Sequence, residues 1–197
     1  MGDGAKDEAL ALAAQTPTVT VRDSDKDDTV VHDKHTYNLQ GEDELAAYLM
    51  KLGIGKATPR YAELMALFRT EGSPDTRDEL GQVVRAYLAA ERGEYVMDRV
   101  VLSGHSVGDV IWGDHNGSIN FSAFQRLAKL FPKAVGQVKD LMLSACYTGG
   151  SAQLEEYLQM FPGLESIWAY SGSSPGTASG ALTHMRIWQR ATKGSEV

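Results

Sequence analysis

The residues best suited to chemistry stand at the ends of two short apolar runs. Val100-Val101-Leu102 leads through Ser103-Gly104 to His105, and Leu141-Met142-Leu143 leads through Ser144-Ala145 to Cys146. A thiol is mostly protonated at neutral pH; an imidazole within reach takes its proton to make a thiolate nucleophile and later protonates the leaving group. Backbone N–H groups in the turns that follow can stabilise a developing oxyanion. Cys146 is the one cysteine in 197 residues, so an internal disulfide, a Cys-based zinc cluster and a CxxC redox pair are all excluded. A single free thiol is more often a small buried hydrophobe than a nucleophile. Here, however, the thiol and the imidazole fall at equivalent places on successive strands, each followed by glycines that allow close backbone approach.

Both apolar runs read as strands buried on both faces. A Gly, Asp and Asn-rich loop is expected from Gly104 to Gly117. A helix capped by Ser122 follows, with Phe121, Phe124, Leu127, Ala128 and Phe131 on one side. After the second strand a helix carries Leu154, Tyr157, Leu158 and Phe161, and a third strand runs from Ser166 to Tyr170. The turn Gly172 to Gly176 then leads to a last helix with Leu182, Met185 and Trp188. Strand alternating with helix predicts an α/β fold with a mainly parallel sheet and right-handed crossovers. Ligands of such sheets bind beyond the carboxyl ends of the strands, where His105 and Cys146 lie.

Upstream, Leu45, Leu49 and Leu52, then Tyr61, Leu64, Met65 and Phe68, then Leu80, Val83, Val84, Tyr87 and Leu88 have helical spacing. Two β-leaning pieces, Thr18 to Val21 and Thr29 to Tyr37, read as a hairpin or an edge ribbon with an acidic turn. Residues 1–17 are expected to be a flexible arm and 18–197 a single domain whose chemistry lies in 99–190. The run Asp23, Asp25, Asp27, Asp28 fails the EF-hand pattern, since Asp28 stands where Gly is required and Lys34 where a bidentate Glu is required. His32 and His35, read as one strand, would face opposite sides. Neither a metal nor another cofactor is expected.

The chain has 19 Lys plus Arg against 26 Asp plus Glu, a formal charge of -7, which disfavours nucleic acid and anionic membranes as partners. No apolar run approaches the roughly 20 residues that span a bilayer, and Met1 to Glu8 lacks the basic start of a secretory signal. A cytoplasmic location is the expectation.

An apolar strand ending in His, a helical crossover, and an apolar strand ending in Ala-Cys resemble the signature of the caspase-like cysteine peptidases, which include caspases, metacaspases, legumains, and clostripain-type and gingipain-type enzymes. His105 and Cys146 are 41 positions apart, close to the roughly 50 of caspases. Tyr147-Thr148-Gly149-Gly150 also looks like the short Gly-containing turn of the family. The resemblance covers residues 99 to about 190 and implies a three-layer caspase-like fold. It further implies His105 as general base, Cys146 as nucleophile, the N–H groups of Ser106 and Cys146 as oxyanion hole, and a protein or peptide as substrate. Ser106 stands where the family usually has Gly, and Ser144-Ala145-Cys146 replaces the Gln-Ala-Cys of caspases proper. The metacaspase and clostripain Asp two residues before Cys is missing. The family's first strand is to be sought among the short β pieces before residue 98.

Gly104-His105-Ser106-Val107-Gly108 also fits the G-x-S-x-G nucleophile elbow, and Ser106, Asp140 and His184 follow the chain order of an α/β-hydrolase triad. Against this serine-hydrolase alternative, the elbow must run into a helix and the triad acid must follow a strand. A non-catalytic binding module is the third reading. Around the cleft, Tyr170, Ser171 and Ser173 are expected to wall the substrate pocket, and Asp109 and Asp114 to favour a basic side chain.

Overall fold

The computed structural model describes residues 10, 28–71, 76–113, 117–176 and 179–192. Apart from Leu10, the expected arm 1–17 lies outside the described residues, as do Thr18 to Val21 and the acidic residues Asp23, Asp25 and Asp27.

The second β-leaning piece is two strands, not one, while the partner expected for it, Thr18 to Val21, lies outside the described residues. Thr29 to Asn38 folds back on itself: β1 (Thr29–His32) pairs antiparallel with β2 (His35–Asn38). Asp33 and Lys34 both take positive φ, 49° and 66°, as a two-residue hairpin turn requires. His32 and His35 are consequently cross-strand partners on one face, not on opposite sides of one strand. The same face carries Val30 and Tyr37 into the core.

Three helices follow as their apolar spacing predicts. They are α1 (Glu42–Lys51), α2 (Pro59–Thr70) and α3 (Arg77–Glu91). Thr58 caps α2 by accepting the Tyr61 N–H, with Pro59 in the first turn where a missing N–H costs nothing. Leu45, Leu49, Leu64, Phe68, Leu80 and Val84 are buried in the core, and the Tyr48 hydroxyl ties α1 to α3 by donating to the Gly81 carbonyl at 2.9 Å.

The principal sheet holds β3 (Arg99–Ser103), β7 (Asp140–Ser144) and β8 (Ser166–Trp168), all parallel, in the order β3-β7-β8. Central β7 buries Leu141, Met142 and Leu143 completely. β3, expected to be equally buried, is only half-buried because it forms an edge of this sheet among the described residues. Alternate positions serve opposite faces. Val100, Leu102, Leu141, Leu143 and Ile167 join the main core with α4 (Phe121–Leu130) and α6 (Ser151–Met160). Val101, Met142 and Trp168 meet Met185 and Trp188 of α7 (Ala181–Thr192) on the other face. The chain is thus mixed α/β with helices on both faces of a parallel sheet. The short α5 (Pro132–Val135) follows α4.

Several expectations change. The supposed loop after Gly104 is largely a second sheet, in which β4 (His105–Ser106), β5 (Val110–Trp112) and β6 (Ser118–Asn120) pair antiparallel in that order. β6 runs straight into α4, so the cap position is Asn120; Ser122 lies inside the first turn and donates instead to Glu71 Oε2 at 2.8 Å. β8 stops at Trp168, short of Tyr170, because the carbonyls of Tyr170 and Gly172 turn to accept N–H groups from the loop after Cys146. Leu158, placed on the buried side of α6, is exposed, and Leu182 is half-buried. Among the described residues β1 and β2 pair only with each other, so neither is the sought first strand of the principal sheet. No helix of the described residues is long and apolar enough to cross a membrane.

Candidate active site

The register of the parallel sheet brings the ends of the two strands that lead to His105 and Cys146 to the same level. Ser103 pairs with Ser144, the last partners of β3 and β7, and the Gly104 N–H extends the ladder by donating to the Ser144 carbonyl at 3.3 Å. His105 and Cys146 are each the second residue beyond that last pair, past the ends of β3 and β7. His105 then enters β4, opposite Trp112, with ring centroids 5.9 Å apart. It is exposed at the sheet edge, whereas Cys146 is half-buried.

The loops that carry them touch. Ser106 is buried, and its Oγ accepts the Gly108 N–H at 2.9 Å. Gly108 takes φ 119°, and a Cβ there would stand 3.4 Å from the Tyr147 carbonyl oxygen and from Gln153 Nε2. The turn after Cys146 is set by the buried Thr148 hydroxyl, which donates to the Ala145 carbonyl at 3.0 Å, and by Tyr147 in the left-handed region at φ 56°.

A third segment reaches the sulfur from the far side. The Tyr147 N–H donates to the Gly172 carbonyl and the Gly149 N–H to the Tyr170 carbonyl, both at 2.8 Å. Beyond them the Ser174 N–H donates to Cys146 Sγ at 3.3 Å, and Ser174 Oγ lies 3.7 Å from the same sulfur. Ser174 was not among the expected site residues. Its place in the polar run after the third strand is visible in sequence, but nothing singles it out from Ser171 and Ser173, which are exposed. Tyr170 is half-buried and engaged with α7: its hydroxyl is 2.9 Å from His184 Nδ1, and the two rings stack with centroids 5.8 Å apart.

Asp109 is exposed, and its carbonyl accepts the Phe121 N–H at 3.0 Å, pinning the second sheet to the start of α4. Asp114 lies outside the described residues.

The serine triad is not assembled. Ser106 leads into a short turn and β5, not into a helix. Asp140 begins β7, at the end of the sheet opposite to Ser106, where it accepts from Ser166 Oγ at 2.6 Å and faces Arg99 at 3.8 Å. His184 is held by Tyr170. The three follow the right chain order, but Asp140 lies at the opposite edge of the sheet from Ser106.

At the N-terminal hairpin, burial holds the His32 imidazole below its ordinary value, with Arg85 and Lys51 acting in the same direction and Asp33 opposing them. Among the described residues, no group of three or more His, Cys, Asp or Glu is arranged to hold a metal ion. No family model matches the chain, and no curated protein or solved structure matches it either.

Proposed function

We propose that the chain is a cysteine endopeptidase of caspase-like type, working through a His105–Cys146 dyad. The observation that supports it best is the β3–β7 register, by which the chain leaves neighbouring strands towards His105 and Cys146 at one level of the carboxyl edge. Helices on both faces of the parallel sheet agree with the three-layer architecture that the resemblance implies.

In this reading His105 takes the proton of Cys146, and the sulfur attacks the carbonyl carbon of a peptide bond. The C–N bond then breaks as His105 protonates the departing amine, leaving a thioester on Cys146. Water, deprotonated at His105, attacks the thioester and releases the acid, and the thiol regains its proton. The N–H groups of Ser106 and Cys146 receive the charge that develops on the carbonyl oxygen. No cofactor enters these steps. The exposed Ser171 and Ser173 flank the peptide, and the exposed Asp109 favours a basic side chain.

Alkylation by iodoacetamide at neutral pH tests the dyad cleanly because Cys146 is the one cysteine. The expected result is rapid labelling that is lost in Cys146→Ala, falls roughly 100-fold or more in His105→Ala and persists in Ser106→Ala. Peptide hydrolysis that survives Cys146→Ala but not Ser106→Ala would refute the cysteine reading. A slow thiol together with no turnover of a peptide library would indicate a binding module.

A further inference from the structure

The dyad leaves one contact unexplained: a residue from beyond the third parallel strand, 28 positions after Cys146, holds its sulfur. The strand order β3-β7-β8 gives that contact its meaning. Cys146 follows the central strand, so its neighbours on the two flanks come from different strands, His105 from β3 and Ser174 from the segment after β8. In the dyad reading His105 meets the sulfur from the β3 side, and Ser174 holds it from the β8 side.

We propose that Ser174 is a positioning residue of this site, holding the Cys146 sulfur in its reactive form and orientation through its backbone N–H, with its hydroxyl in support. This rests on the dyad reading. A donor aimed at a sulfur stabilises the thiolate more than the thiol, since a hydrogen bond to a charged acceptor is the stronger one. Ser174 is built to keep that donor in place. The residue before a proline is pushed towards extended conformations, and Pro175 follows it. Two residues earlier, the segment is anchored to the Cys146 turn by the Tyr147 to Gly172 hydrogen bond, backed by Gly149 to Tyr170. The N–H thus reaches the sulfur without any freedom of its own to lose.

The hydroxyl and the N–H can be separated. Ser174→Ala removes only the hydroxyl, Ser174→Pro removes the N–H, and Pro175→Gly keeps every polar atom but frees the backbone that aims them. The test follows the alkylation rate of Cys146 by iodoacetamide from pH 5 to 10, roughly spanning thiol titration, with thermal unfolding as a check on folding. Ser174→Ala is expected to change little. Pro175→Gly and Ser174→Pro are expected to move the midpoint of the rate profile to higher pH and to slow labelling at pH 7 roughly tenfold, the lower end of what a hydrogen bond to a charged group is worth. Pro175→Gly keeps the test decisive if Ser174→Pro fails to fold.

A faster reaction in these variants with an unmoved midpoint would mean that Ser174 merely shields the sulfur, and would overturn the proposal. A midpoint that ignores Pro175→Gly while labelling still depends on His105 would overturn the role of Ser174 alone. Labelling that ignores His105 in the parent protein would overturn the dyad, and this inference with it.

Discussion

The close approach between the turn after Cys146 and the segment after β8 rests on Gly149, and Gly149→Ala measures it. A Cβ at this position would stand 2.9 Å from the Tyr170 carbonyl carbon, 3.0 Å from the Ser171 nitrogen and 3.2 Å from the Tyr170 nitrogen. All three are backbone atoms, so no side-chain rotation relieves the clash. Ordinary contact begins near 3.4 Å, so the two segments must part by about half an ångström. That movement stretches the Gly149 to Tyr170 and Tyr147 to Gly172 hydrogen bonds and draws Ser174 away from Cys146 Sγ.

Overpacking of this kind costs about 1–3 kcal/mol. For a chain of this length each kcal/mol is worth about 2–4 °C of Tm, so a loss near 2 kcal/mol lowers Tm by about 4–8 °C. Thermal unfolding followed by circular dichroism reads the first effect, and the pH profile of Cys146 alkylation reads the second, a shift to higher pH. Gly172→Ala is the control in the same segment, because a Cβ there meets nothing within 4 Å. If Gly149→Ala melts and alkylates like the parent, the two segments do not press together as described. If Gly172→Ala is equally damaging, the loss comes from removing a glycine and not from the clash.

Two further outcomes follow from packing and charge. Leu143→Ala empties a fully buried position on the central strand and should cost about 2–5 kcal/mol, read as a lower urea midpoint at unchanged m. His32 is held below its ordinary 6.5 chiefly by burial, so the unfolded chain binds a proton there more readily than the folded one. Its contribution is therefore fully present above pH 6.5 and is lost as pH falls through that value towards the folded one; His32→Gln should flatten the stability curve in that window.

The main sheet was legible because each of its first two strands is an unbroken apolar run, and the crossover helix between them repeats its apolar residues at 3–4-residue spacing: Phe121, Phe124, Leu127, Ala128 and Phe131 are all buried. The second sheet was not, because its strands are two or three residues long and the Asp and Gly around Val110-Ile111-Trp112 carry the composition of a loop. The hairpin turn at Asp33-Lys34 escaped for a related reason: Asp33 suits its place, but Lys34 takes positive φ where Gly is the usual choice, so the Asp-Gly signal is missing. In the site, chain position could place His105 and Cys146 just past the ends of β3 and β7, at one edge of the sheet. It could not find Ser174, whose contact with Sγ depends on how the segment after β8 folds over a turn 28 positions earlier. The serine triad was already disfavoured in the sequence, where Asp140 precedes the apolar run of its strand although a triad acid must follow one.

Gly104 shows how an exposed histidine can still be a positioned one. Its N–H is the last bond of β3 to β7, and a Cβ on it would stand 2.8 Å from the Trp112 carbonyl oxygen and 2.9 Å from Ile111 Cγ2. Only a residue without a side chain lets β5 lie this close to the strand leaving the parallel sheet. The next residue, His105, is consequently held by two sheets at once, by β7 through Gly104 behind it and by β5 through its pairing with Trp112. On the proposed dyad reading this matters, because a base on a free loop would lose conformational entropy each time it met the thiol, whereas one whose backbone is fixed at the junction of two sheets loses less. A side chain at 104 would have to separate β4 from β5, and so would reach the chemistry through backbone position without touching either reacting group.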